Sequence, residues 1–184
     1  MNDPIAVVRI PMERVPVLVG KGGSTKKMIE TNGGVSIRVD SQSGEVYVFQ
    51  KNDPLQASIA PNVIRAIGRG FSPERAVALY ENESQLAVIP LREFAKSGSH
   101  RIEEIKGRII GKSGRTRNTI EELTDTYISI YGDSVSVIGD HSSLYCAVEA
   151  IRMLINGRKH RTVYQYLEKF RHDQKFRKMS ESFG

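Results

Sequence analysis

A chain of 184 residues has room for two domains of roughly 80 to 90 residues, and 39% hydrophobic with 26% charged residues is the balance of an ordinary globular protein. No stretch approaches the roughly 18 consecutive apolar residues of a membrane span, and the single cysteine, Cys146, excludes an internal disulfide and a cysteine-based zinc site. The net charge is +6, and residues 158–178 hold eight basic residues against Glu168 and Asp173, so that segment carries as much charge as the whole chain.

Residues 1–5 place no basic stretch ahead of an apolar run, so no secretory signal is expected. With one thiol and no signal, the reading is a cytoplasmic protein. Residues 5–10 form a β-branched apolar run, a predicted strand. Pro11 opens residues 12–19 in helical register. Gly20, Lys21, Gly22 and Gly23 then lead into a predicted helix over 24–30 that stops near Gly33 and Gly34. Residues 35–39 and 45–49 alternate with period two around a turn at 40–44, which is a hairpin pattern. Asp53 and Pro54 supply a cap and a first-turn proline for a helix through about Ile67.

The same order then returns. Residues 85–91 read as a strand, followed by a Ser- and Gly-rich insertion at 92–100. A helix over 101–110 carries Ile102, Ile105 and Ile109 on one face. Gly111, Lys112, Ser113 and Gly114 precede a helix over 115–123. Strands at 127–131 and 134–138 flank Gly132-Asp133, and a long amphipathic helix covers 142–156. Gly20 matches Gly111, Lys21 matches Lys112, Gly23 matches Gly114, Ile29 matches Ile120 and Glu30 matches Glu121. The fold class is α+β, with one copy in 1–82 and the other in 83–184. Val163, Tyr166, Leu167 and Phe170 fall at i, i+3, i+4 and i+7, so a C-terminal helix is expected to dock. Its basic residues are expected to face a polyanion, and the end beyond about Lys178 is expected to fray.

Glycine at each end of a two-residue loop admits positive φ and lets a ligand approach the backbone. The helix that follows turns its free N–H groups and positive dipole end outward, which suits phosphate. Lys21 and Lys112 add charge at the loop tips, while Lys26, Lys27, Arg115 and Arg117 extend it. Neither loop has an acidic residue within it or in the six positions after it. Enzymatic readings fit poorly. Gly107 to Lys112 has three residues between its glycines where a nucleotide-binding P-loop has four, and Thr25 breaks the dinucleotide fingerprint. His100, His141, His160 and His172 lack metal or triad spacing. Asp140 and Ser142 read as helix caps. No catalytic group, metal or cofactor is expected.

Val-Gly-Lys-Gly-Gly and Ile-Ile-Gly-Lys-Ser-Gly, each between short helices and followed by a hairpin and a helix, resemble KH domains of β-α-α-β-β-α topology. That resemblance implies a Gly-x-x-Gly clamp on about four nucleotides of single-stranded RNA, with bases in an adjoining aliphatic groove read by the central strand. It assigns the backbone clamp to Gly20, Lys21, Gly22, Gly23, Gly111, Lys112, Ser113 and Gly114. It assigns the groove to Val19, Lys26, Ile29, Ile37 and Val39 in the first copy. In the second copy the groove falls to Ile110, Arg115, Arg117, Ile120, Ile128 and Ile130. With residues 147–157 and 160–168 added, positions 5–170 resemble the small-subunit rRNA processing factors called partner of the Nob endonuclease. That implies binding near the 3′ end of small-subunit pre-rRNA, beside a maturation nuclease or other ribosome assembly and translation factors. The intact first loop and the short N-terminus point to an archaeal member. An interaction scaffold in which only one KH domain touches RNA stands as the alternative.

Overall fold

The computed structural model describes residues 3–183. Met1 and Asn2 of the stretch read for a signal, and Gly184 at the end expected to fray, lie outside the described residues. The chain separates into two compact units, Met1–Leu86 and Ala87–Gly184, where the sequence placed the division at 82/83.

In the first unit, strand β1 (Ala6–Arg9) leads through Pro11 into a 3-10 turn, Met12–Arg14, and helix α1 (Val15–Val19). The sequence predicted one continuous helix there. Pro11 sits in extended backbone (φ −57, ψ 141), so the chain enters through a tight turn. Helix α2 (Ser24–Gly33), the hairpin β2 (Val35–Asp40) and β3 (Glu45–Gln50), and helix α3 (Pro54–Gly68) follow. The antiparallel sheet has the order β1-β3-β2. Alternation turns Val8, Val35, Ile37, Val46 and Val48 inward, where they are buried with Leu18, Ile29, Ile64 and Ile67. Each fully buried side chain of this kind contributes about 1.5–3 kcal/mol.

Helix α3 starts where Asp53 accepts from Leu55 N at 2.9 Å. At its other end Arg14 donates to Ile67 O at 2.8 Å and Phe71 O at 2.7 Å, tying the end of the helix and the chain beyond it to the 3-10 turn. Residues 71–80, for which the sequence reading offered no element, form helix α4 (Pro73–Ala76) and a 3-10 turn, Val77–Tyr80. The signal was present: Ser72 accepts from Arg75 N ahead of a first-turn Pro73, and Phe71, Ala76 and Leu79 are buried.

β4 (Gln85–Pro90), which spans the division, leads into the second unit with α5 (His100–Ile110), α6 (Arg115–Thr124), β5 (Tyr127–Tyr131), β6 (Ser134–Gly139) and α7 (His141–Ile155). Its sheet order is β4-β6-β5, the same topology as the first. Ser99 caps α5, and Asp140 caps α7 by accepting from Ser142 N and Ser143 N, each at 3.0 Å. Helix α8 (His160–Ser182) packs against α6 and α7. Val163 and Leu167 enter the core and Tyr166 and Phe170 lie against it, as the periodicity predicted. The helix continues to Ser182, past Lys178 where fraying was expected. The run from 172 to 182 holds no glycine or proline to stop it. No helix among the described residues is long and apolar enough to cross a membrane. The architecture is α+β: two three-stranded antiparallel sheets, each packed with helices, and a C-terminal helix.

Candidate nucleic-acid interface

The two glycine loops have nearly the same backbone. Gly20 adopts φ 75, ψ 172 and Gly111 adopts φ 72, ψ 175. Gly23 N donates to Gly20 O at 3.1 Å, and Gly114 N to Gly111 O at 3.2 Å. The first glycine of each loop is required by close approach. A Cβ on Gly20 would lie 2.7 Å from Thr25 N, and one on Gly111 would lie 2.7 Å from Thr116 Cβ and 2.8 Å from Thr116 N. The helix before the loop is thereby folded onto the first turn of the helix after it.

The outer side of each loop is open. A Cβ on Gly22 or Gly23 would meet nothing within 4 Å, and one on Gly114 only Arg117 Nη2 at 4.0 Å. Ser113 stands at φ 54, in the left-handed region that Gly22 occupies in the first copy. A non-glycine residue there costs about 1–2 kcal/mol. Lys21, Lys112 and Arg115 are exposed, and Lys26 and Arg117 are half-buried. Arg117 Nε is buried without a hydrogen-bond partner among the described residues.

The residues expected to line a groove fall into two sets. Val19, Val39, Ile110 and Ile130 are half-buried and lie at the surface beside the loops and strands. Ile29, Ile37, Ile120 and Ile128 are at most 3% exposed. These four belong to the core, because their positions on α2, β2, α6 and β5 face the packed side. The sheet order corrects a second expectation. The strands that carry the groove residues, β2 and β5, are edge strands, whereas the central ones are β3 and β6. A central strand has its N–H and C=O groups taken by both neighbours. An edge strand keeps every second residue's pair free.

One such free group is already occupied, in the same way in both copies. Ile37 N donates to Glu30 Oε1 at 2.7 Å, and Ile128 N donates to Glu121 Oε1 at 2.7 Å. Because strand groups alternate sides, Val39 and Ile130 turn their N–H and C=O toward that same open edge. The sequence comparison paired the two glutamates without assigning them a role. It noted Thr25 only as breaking the dinucleotide fingerprint and passed over Thr116, although their shared five-residue offset from Gly20 and Gly111 was the available signal. Thr116 is buried and its hydroxyl pairs with Tyr164 OH at 3.1 Å.

Two copies of this sheet and paired Gly-x-x-Gly loops define a tandem KH-domain protein. Residues 5–60 match the KH domain family, and residues 85–172 match the eukaryotic type KH-domain (KH-domain type I) family in the variant that forms the second domain of PNO1. The chain belongs to the PNO1/Dim2 family of KH-domain proteins. A KH domain-containing protein of Methanocaldococcus jannaschii is 41% identical over 92% of this chain and 75% of that one. The RNA-binding protein pno1 of Dictyostelium discoideum is 25% identical over 90% and 71% of the two chains. Dim2p in the a/eIF2alpha–aDim2p–rRNA complex from Pyrococcus horikoshii superposes with a TM-score of 0.86 at 40% identity, covering 91% of this chain and 94% of that one.

Proposed function

We propose that this protein is a non-catalytic, cytoplasmic factor of small-subunit ribosome maturation that holds single-stranded rRNA near its 3′ end. The observation that carries the proposal is the pair of loops. In each, Gly20 or Gly111 folds two helices together while the tip (Lys21 and Gly22, or Lys112 and Ser113) stays open to a phosphate. Phosphates lie on the loop tips and the following helix starts, with Lys26, Arg115 and Arg117 beside them. Bases lie over Val19 and Val39 in the first domain and over Ile110 and Ile130 in the second. There they meet the free main-chain groups of β2 and β5. In that arrangement the four buried isoleucines hold the groove floor in place without touching RNA.

The test is binding of a fluorescent RNA with the small-subunit rRNA 3′-end sequence, over a salt series. Wild type is compared with Lys21→Asp/Gly22→Asp and with Lys112→Asp/Ser113→Asp. Loss of affinity in both variants, with little change in melting temperature, is the expected result. Unchanged affinity in both would remove the loops from the mechanism.

A second reading has its own support. A Dim2p relative has been captured with a translation-factor subunit and rRNA together, so one KH domain here can serve a protein partner, such as an initiation factor or a maturation nuclease. Loss of RNA binding in the second-loop variant alone is the outcome that favours it.

A further inference from the structure

Where α5, the second glycine loop and the start of α8 meet, a cavity of about 580 Å³ opens. Gly107 lies on its wall, in the interior of α5, where glycine is the least favourable residue after proline. Nothing among the described residues calls for glycine there: a Cβ would meet no atom of theirs within 4 Å. Its counterpart in the first copy is Pro16, since Gly20 N donates to Pro16 O as Gly111 N donates to Gly107 O. A helix that bears the cost of a glycine beside an empty hollow leaves room for something that comes close to its backbone.

The facing wall is chemically specific. His160 Nε2 lies 2.9 Å from Arg108 O. A carbonyl only accepts, so Nε2 carries the proton and Nδ1 is left as an acceptor in the neutral ring. Tyr164 stands edge-on to His160 with ring centroids 6.2 Å apart, and its hydroxyl is anchored on Thr116. Lys112 and Arg115 border the opening as exposed cations. The one carboxylate of the lining, Glu104, is paired with Arg101 at 3.0 Å. Arg108 is fixed by Leu154 O at 3.0 Å and Arg158 O at 2.5 Å.

We infer that this cavity is a nucleotide site for the RNA residue adjoining those clamped by the second loop, a deepening that rests on the RNA-binding function proposed above. The base packs against Tyr164 and His160, a backbone phosphate sits between Lys112 and Arg115, and the sugar passes over Gly107. His160 Nδ1 accepts from the 2′-hydroxyl or a base N–H. Among the described residues the first domain has no counterpart, because α3 is followed by α4 and a short turn instead of a long helix.

The experiment uses the full chain and a fluorescent 12-nucleotide RNA of the small-subunit rRNA 3′ end, with single abasic substitutions walked along it. Gly107→Ala should raise or preserve the melting temperature while lowering affinity about tenfold. Wild type should show a base outside the clamped segment whose removal weakens binding by roughly five- to a hundredfold, the range for stacking one base on an aromatic ring. Tyr164→Leu should abolish that penalty while keeping the penalties at other positions. If Gly107→Ala binds as wild type and Tyr164→Leu leaves the abasic profile unchanged, the site is overturned, even where Lys112→Asp/Ser113→Asp still abolishes binding. If that double variant also binds normally, the loop reading and this site fall together.

Discussion

The two glycines of the second loop both have positive φ, but Gly114 is left-handed and open (ψ 9) whereas Gly111 is extended and enclosed (ψ 175), and alanine at each measures the difference. At Gly114 (φ 76) an alanine meets only Arg117 Nη2 at 4.0 Å, so its cost is the left-handed conformation alone, about 1–2 kcal/mol. At Gly111 (φ 72, ψ 175) the backbone is extended with positive φ, a region that glycine alone occupies readily, at a cost of about 1–3 kcal/mol for alanine. In addition the new methyl group overlaps Thr116, whose Cβ and N are 2.7 and 2.8 Å away. Thr116 must move, which breaks its hydrogen bond to Tyr164, a further loss of about 0.5–1.5 kcal/mol. The packing of α5 on α6 must also yield. Gly111→Ala should therefore cost about 3 kcal/mol or more. At roughly 4–8 °C per kcal/mol for a domain of this size, its melting temperature should fall clearly further than that of Gly114→Ala. Thermal unfolding of the full chain followed by circular dichroism gives both numbers. Equal shifts would refute the reasoning, because they would mean that neither the extended positive-φ backbone nor the close approach to Thr116 is what Gly111 is for.

Glu121→Ala should cost about 1–3 kcal/mol by leaving Ile128 N–H unsatisfied, with Glu121→Gln losing less; equal urea midpoints for all three proteins would contradict this. Burial works to raise the Asp140 carboxyl, but hydrogen bonds from Ser143 and Ser142 outweigh it and hold the group below the usual carboxylate range. A carboxylate depressed in the folded state stabilises fully above its unfolded value of about 3.9, and that contribution is lost as pH falls through the lower folded value. Asp140→Ala should thus cost about 0.5–2 kcal/mol at neutral pH, and its gap from wild type should narrow below about pH 4; a gap independent of pH would count against the cap. Burial pushes the Cys146 thiol up to about 11, partly offset by its hydrogen bond with Tyr166. Native protein at pH 8 should react with a disulfide reagent only as fast as it unfolds, and immediate stoichiometric labelling would show the thiol to be accessible.

Most of the fold is legible in the sequence because it is written twice. The period-two hairpins, the helix caps Asp53 and Asp140, and the four-residue loops recur at matching positions, and the docking face of α8 follows from Val163 and Leu167. What the pattern does not carry is which apolar residue ends at the surface. Ile37 and Val39 lie two apart on the same strand face, yet only Ile37 is enclosed. Depth along a strand depends on what the helices cover, not on alternation. Which strand is central was also hidden, since sequence order places β2 before β3 and hydrogen bonding places β3 between its neighbours. Tyr164 and Thr116 are 48 residues apart, a separation at which local periodicity says nothing about contact.

The glutamate on the open strand edge has a consequence for self-association. An uncovered edge is a template on which another extended chain can add as a further strand, and such edges invite aggregation. Glu30 and Glu121 each take an outward amide of that edge and place a carboxylate where an incoming strand would need to lay its own carbonyl. The edge is thereby closed to a zipper of main-chain bonds, while two residues further on, at Val39 and Ile130, its outward groups remain for an isolated partner.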